Sequence, residues 1–292
     1  MVWVSGAKLA AAASNAGCLG LIGAGSMNPD LLKNHIQKAH KLTIKPFGIN
    51  IPLLYKDVEK QIEVALSEKV KIFFTSAGSP KKYTSLLQKE GCIVVHVTSS
   101  VDLALKCQDA GVNAVVLEGF EAGGHNGRDE LTTLVLLQQA RYKLKIPIIA
   151  AGGIGSGAAI ASCLALGADA VQIGTLFAAT LESSAHDNFK RAMCEAGSAS
   201  TFLRMKKTVP VRLLENKFSN SIKEIEDRGG SPEELLACLN KGRAKLGMLE
   251  GNLTEGELEI GQIVSEIHEI LTCDKLVDNL AQDFLAARAR LF

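Results

Sequence analysis

The feature that most narrows what this chain can fold into is an alternation. Seven short apolar runs recur along its first two-thirds, at 18–25 (CLGLIGAG), 45–51 (KPFGINI), 70–76 (VKIFFTS), 92–97 (CIVVHV), 113–119 (NAVVLEG), 146–153 (IPIIAAGG) and 169–175 (DAVQIGT). Each is nearly continuously hydrophobic, as a strand covered on both faces must be. Most end in Gly, Ser, Thr or Asn, where a loop begins. Amphipathic stretches lie between them. In SVDLALKCQDAG, Val101, Ala104 and Leu105 share one face and Gly111 stops the helix. Strand and helix in regular turn predict a parallel sheet. About seven such units exceed most doubly wound sheets and approach the eight of a closed barrel.

The expected fold is therefore a TIM-type (β/α)8 barrel, with one irregularity. The chain opens on SGAKLAAAASNAG, a helix predicted to be capped by Ser5 and ended by Gly17, and only MVWV precedes it. A barrel helix should follow a strand, so most of the first strand is expected to be missing. Residues 1–200 are assigned to the barrel and 201–292 to a C-terminal extension packed upon it, with no second core of its own. Within the extension, TFLRMKKTVPVRLLENKF (201–218) reads as extended or irregular, and Ser231-Pro232 starts a helix. GELEIGQIVSEIHEIL and the closing DKLVDNLAQDFLAARARLF are expected to cover the barrel.

Composition excludes several classes. Charged residues make up 22% and the net charge is +1, so nothing points to nucleic acid or an anionic membrane. No apolar run reaches the roughly 18 residues of a bilayer span, and the start lacks a signal peptide's pattern. A cytoplasmic protein is expected. The seven cysteines form no Cys-x-x-Cys pair, so reduced, mostly buried thiols and no metal site are expected.

Two segments carry chemistry. In IPIIAAGGIGSGAAIASCLALGADAVQIGTLF (146–177), one strand ends in Gly152-Gly153 and the next in Gly174-Thr175. Bare backbone at two neighbouring strand ends suits a phosphate, and a barrel's last two loops are its usual site. The stretch Gly153-x-Gly155-x-x-Ala158 imitates a dinucleotide fingerprint. The nearest acid, Asp169, opens the next strand instead of closing it, which argues against that reading. The second segment is EGFEAGGHNG (118–127). It sets Glu118 at a strand end and holds His125 beyond two glycines, where an imidazole can donate or accept a proton near neutral pH. His35, His40 and His268 are expected on helical surfaces, while His96 and His186 stay undecided.

Together, Gly152-Gly153, Gly174-Thr175, EGFEAGGH, PFGIN (46–50), SNAGCLGLIGAG (14–25) and the tail KGRAKLGMLEGNLTEGELEIGQ resemble the nitronate monooxygenase family. They are most similar to its FMN-dependent enoyl-(acyl carrier protein) reductase branch. IMP dehydrogenase shares only the phosphate module. The resemblance implies an FMN enzyme whose phosphate is held by Gly152, Gly153, Gly174 and Thr175, with Asn50, Ser76, Gly78, Glu118 and Gly123 around the flavin. It implies His125 as the catalytic residue over the ring, NAD(P)H as co-substrate and a 2-enoyl-acyl carrier protein as substrate. The family's first strand ends in a Gly-Gly-Met-like segment, of which only Met1 has a counterpart here. The basic residues Arg204, Lys206, Lys207 and Arg212 are a candidate surface for an acidic carrier protein, and a homodimer is the oligomer considered. Two alternatives stand beside this reading: a nitronate monooxygenase using FMN and oxygen, and an inactive or merely flavin-binding chain.

Overall fold

The computed structural model describes residues 1–291. Seven parallel strands form one curled sheet in the order β1 (Gly20–Gly23), β2 (Phe47–Pro52), β3 (Ile72–Ser76), β4 (Ile93–Thr98), β5 (Ala114–Glu118), β7 (Ile148–Ala151) and β8 (Ala170–Gln172). A two-residue strand, β6 (Gly124–His125), leaves this sheet and pairs with the hairpin β9 (Thr201–Arg204) and β10 (Val211–Leu214). Every apolar run of the sequence supplies one parallel strand. Alternate residues face opposite ways. Ile49, Phe73, Val94, Val115, Leu117 and Ile148 pack outward under the helices, while Phe74, Val95, Val116 and Ala151 point into the barrel.

The helices covering the sheet are α1 (Ala7–Asn15), α2 (Pro29–Leu42), α3 (Val58–Ser67), α4 (Lys81–Lys89), α5 (Val101–Asp109), α6 (Thr133–Ala140) and α7 (Gly157–Ala165), followed by α8 (Thr175–Ala178) and α9 (Asp187–Cys194). The extension adds α10 (Lys217–Asp227), α11 (Pro232–Leu239) and α12 (Cys273–Leu291). Ser231 caps α11 as expected, in a reciprocal box with Glu234. No helix among the described residues is long and apolar enough to cross a membrane.

Strands β1 and β8 do not pair with each other, so the barrel has a seam. On the β1 side, residues 1–5 partly cover the free edge. The Gly23 N–H donates to Ser5 O at 2.9 Å, and the Ser5 hydroxyl donates to Leu21 O at 2.5 Å. This corrects the cap assignment: Gly6 is the N-cap of α1, and no side chain caps it. The Ala7 N–H is instead accepted by His35 Nδ1 at 3.0 Å, so this histidine props α1. His268 lies exposed in a loop rather than on a helix. His186 serves as the N-cap of α9.

The extension carries a small apolar cluster that the sequence pattern did not announce, built from Met205, Val211, Leu213, Phe218, Ile222 and Leu235. Of the four basic residues Arg204, Lys206, Lys207 and Arg212, only Lys206 and Lys207 are exposed. Arg204 and Arg212 are buried. Arg212 lies over the Phe120 ring and donates to the Phe120 carbonyl. Lys206 pairs with Glu130, and Lys207 donates to the carbonyls of Gly229 and Gly230. Arg204 and Arg212 fold inward because each guanidinium lies over an aromatic ring, Phe202 and Phe120.

Helix α12 lies on α7 at the far side of the seam. A Cβ on Gly157 would collide with the Phe284 nitrogen and the Leu280 carbonyl oxygen. Asp283 accepts from the Ala158 N–H at 3.0 Å, tying the two helices at the start of α7. Gly157→Ala must push α12 outward, at a cost of about 1–3 kcal/mol. The expected result is a lower urea midpoint with a near-normal slope; an unchanged midpoint would show that α12 does not approach this closely.

Candidate active site

The C-terminal ends of the strands open into one cavity of about 1730 Å³. It is larger than the roughly 300–1,000 Å³ of an ordinary ligand pocket because it continues down the seam between Leu9, Ala13 and Leu19 on one side and Phe284 and Leu285 on the other. His125, Asn50, Ser76, Gly78, Glu118, Gly123, Gly152, Gly153, Gly174 and Thr175 all line it. Residues spread over more than a hundred positions of sequence thus meet at one mouth.

The glycine turn after β7 is held from beneath. The Thr133 hydroxyl, at the start of α6, lies 2.7 Å from Ala151 O and 2.8 Å from Gly152 O. The Glu121 carboxylate accepts from the Thr133 N–H. Gly152 and Gly153 take φ of +98° and +69°, a region that side chains resist. A Cβ on Gly152 would also meet Gly119 O at 2.8 Å. One unit on, Gly174 precedes α8, and a Cβ there would touch the Met1 sulfur at 3.4 Å. Asp169 accepts from the Ile148 N–H at 2.8 Å and so fixes the two strands, the structural job that replaces a ribose contact.

Over the other side of the mouth passes a strap, residues 257–261. The Leu214 N–H donates to Leu258 O, the Gln262 N–H to Glu121 O, and the Gly261 N–H to the Thr175 hydroxyl at 3.2 Å. A Cβ on Gly123 would lie 2.5 Å from the Ile260 carbonyl carbon, so strap and loop touch backbone to backbone. The register of β6 on β10 then sets His125 opposite Val211, exposed at the cavity.

Three residues that line this cavity each bury a side-chain oxygen with no hydrogen-bond partner: Thr98 Oγ1, Asn126 Oδ1 and Gln172 Oε1. An unpaired buried polar atom costs about 1–3 kcal/mol, so a polar ligand that drew these side chains toward the cavity would recover part of that cost. Sequence reasoning missed them. The available signal was the polar residue closing or interrupting each apolar run, at Thr98 and Gln172. His96 also lines the cavity, 2.7 Å from the Thr75 hydroxyl, and burial pushes its pKa down to about 4. Burial pushes the Glu118 carboxyl up to about 7, against the opposing pull of the Met1 amino group.

A parallel barrel whose strand ends enclose a cavity with a bare-backbone cradle and an exposed histidine has the build of a barrel enzyme with its ligand site at the strand ends. The chain belongs to the nitronate monooxygenase family, whose sequence profile matches residues 1–61 and 54–283. It is 30% identical to a probable nitronate monooxygenase of Bacillus subtilis, over 94% of this chain and 91% of that protein. The solved structure of FabK from Thermotoga maritima superposes with a TM-score of 0.93 and 37% identity, over 100% of this chain and 92% of that one. A nitroalkane oxidase from Streptomyces ansochromogenes gives a TM-score of 0.86 at 30% identity, over 100% of this chain and 95% of that one. The chain is thus a flavin-dependent oxidoreductase.

The raised Glu118 carboxyl links this site to stability. The folded protein keeps that proton at pH values where the unfolded chain has lost it, so stability falls as pH rises from about 4.5 to about 7. The fall is on the order of 3 kcal/mol, because each pH unit between the unfolded and folded values is worth about 1.4 kcal/mol. Urea denaturation at pH 5 and pH 7.5 should show this loss in the wild type and a smaller one in Glu118→Gln. Equal losses in both would contradict the assignment.

Proposed function

We propose that this chain is an FMN-dependent enoyl-thioester reductase, moving hydride from NAD(P)H to the β-carbon of a 2-enoyl group on acyl carrier protein. The observation that supports it most is one cavity holding both a glycine cradle at the ends of β7 and β8 and an exposed histidine on the neighbouring loop. Gly152, Gly153, Gly174 and Thr175 would hold the FMN phosphate through main-chain N–H groups. Asn50, Ser76, Gly78, Glu118 and Gly123 would line the ring and ribityl chain. Asn126 and Gln172, whose side-chain oxygens are buried and unpartnered, would accept from the N–H and O–H donors of a flavin's pyrimidine edge and ribityl chain on turning toward the cavity.

When bound, FMN supplies the hydride relay between nicotinamide and substrate. The protein's own part is placement and proton supply. His125 stands on the open side, where its imidazole can deliver a proton to the α-carbon as the β-carbon gains hydride, leaving a saturated thioester. The strap and the Gly123-Gly124 loop close one flank of the cavity and keep water from the reacting atoms.

A second reading, oxidation of nitronates with oxygen, is favoured by the name of the Bacillus subtilis relative. The greater identity to FabK over the full chain supports the reductase. Anaerobic mixing separates them. The reductase reading expects NADH or NADPH to bleach the flavin and crotonyl-thioester to restore its colour. His125→Ala should keep the bleaching and slow the recolouring by about 10²–10⁴-fold. A flavin that ignores both nicotinamides and is bleached by ethyl nitronate would overturn it in favour of the monooxygenase.

A further inference from the structure

Glu259 sits where the strap crosses the histidine loop. Its main chain forms an antiparallel bridge to Leu213, while Val211 and Arg212 of the same strand pair with His125 and Gly124. The strap and the histidine therefore follow one another along β10. The Glu259 carboxylate lies so near the loop that a Cβ on Gly124 would meet its Oε2 at 2.7 Å. Glu259 and His125 both line the cavity.

Among the described residues no ion pair includes Glu259. Lys81, Lys106 and the Met1 amino group line the same cavity from other elements and do not pair with it. Its titratable neighbours carry its field instead. Glu257, buried on the strap, has its pKa raised by burial and by the Glu259 charge. The Tyr55 phenol, on the loop after β2, is raised by burial and then by Glu259 and Glu257.

We propose that Glu259 sets the charge specificity of the site, admitting neutral reacting groups beside His125 and disfavouring anionic ones. A second negative charge entering a half-desolvated mouth meets like-charge repulsion from a carboxylate that no ion pair offsets. An enoyl thioester brings uncharged reacting carbons to that mouth, whereas a nitronate brings a full negative charge. The inference rests on the reading of this cavity as the substrate site and deepens the preference for the thioester.

Butyrate and butyramide have nearly one shape and differ in charge, so they isolate the effect. Their binding to the FMN-loaded protein is read from perturbation of the flavin spectrum at fixed ionic strength, with no turnover. The wild type should prefer butyramide. Glu259→Gln should tighten butyrate about five- to tenfold and leave butyramide within about twofold, a single-charge effect of ordinary size. Glu259→Asp should retain the wild-type preference. The strap's contact with β10 is made by main chain, so both variants keep the loop in place. Unchanged butyrate affinity in Glu259→Gln, or equal changes for both ligands, would overturn the proposal. A chain that binds as stated yet never reduces crotonyl-thioester would refute the reductase reading and leave the charge filter standing.

Discussion

Backbone meets backbone where the strap crosses the loop after β5, and the rest of the site hangs on that contact. Ile260 and Gly261 pass through the space a side chain on Gly123 would need. The Gly261 N–H also reaches the Thr175 hydroxyl beyond β8. One short segment of the extension thus ties the histidine loop to the phosphate-type turn across the mouth. The same β10 that carries the strap at Leu213 and Leu214 also holds β6, pairing Val211 with His125 and Arg212 with Gly124. Main-chain contacts of this kind hold position within tenths of an ångström, because no flexible side chain intervenes.

The fold was legible because parallel strands buried on both faces must be continuously apolar, and nothing else in the sequence looks like the seven runs. The candidate residues were legible for a related reason: strand ends in a barrel converge, and Gly152-Gly153, Gly174-Thr175 and Glu118 each close a run. What stayed hidden depends on distant partners. Ser5 reads as a cap because serine usually is one, but its hydroxyl is taken by Leu21 O on the first strand. Arg204 and Arg212 read as surface charge until the hairpin sets them over Phe202 and Phe120. The strap could not be read as part of the mouth, since its role comes from a bridge to Leu213 rather than from its own pattern.

The cavity combines groups that pull in different chemical directions. Its floor is apolar, with Phe74, Val97, Ile149 and Ala151 facing in. Around its rim stand three residues with buried, unpartnered oxygens and a Glu118 carboxyl whose pKa burial raises to about 7. At the entrance Glu259 adds a carboxylate that forms no ion pair among the described residues. Such a gradient, from greasy floor through polar rim to charged entrance, suits a flat ligand with polar edges lying within and a neutral second ligand arriving above it.

The central claim is that the glycine turns at β7 and β8 bind the phosphate of a flavin nucleotide. Its most direct test is calorimetric titration of the flavin-free protein with FMN and with riboflavin, which lacks only the phosphate. The account predicts one FMN per chain and riboflavin binding weaker by about a hundredfold, the worth of a few charge-assisted hydrogen bonds from main-chain N–H groups. Equal affinity for the two would show that the phosphate is not held there, and failure to bind either would mean the cavity is not a flavin site.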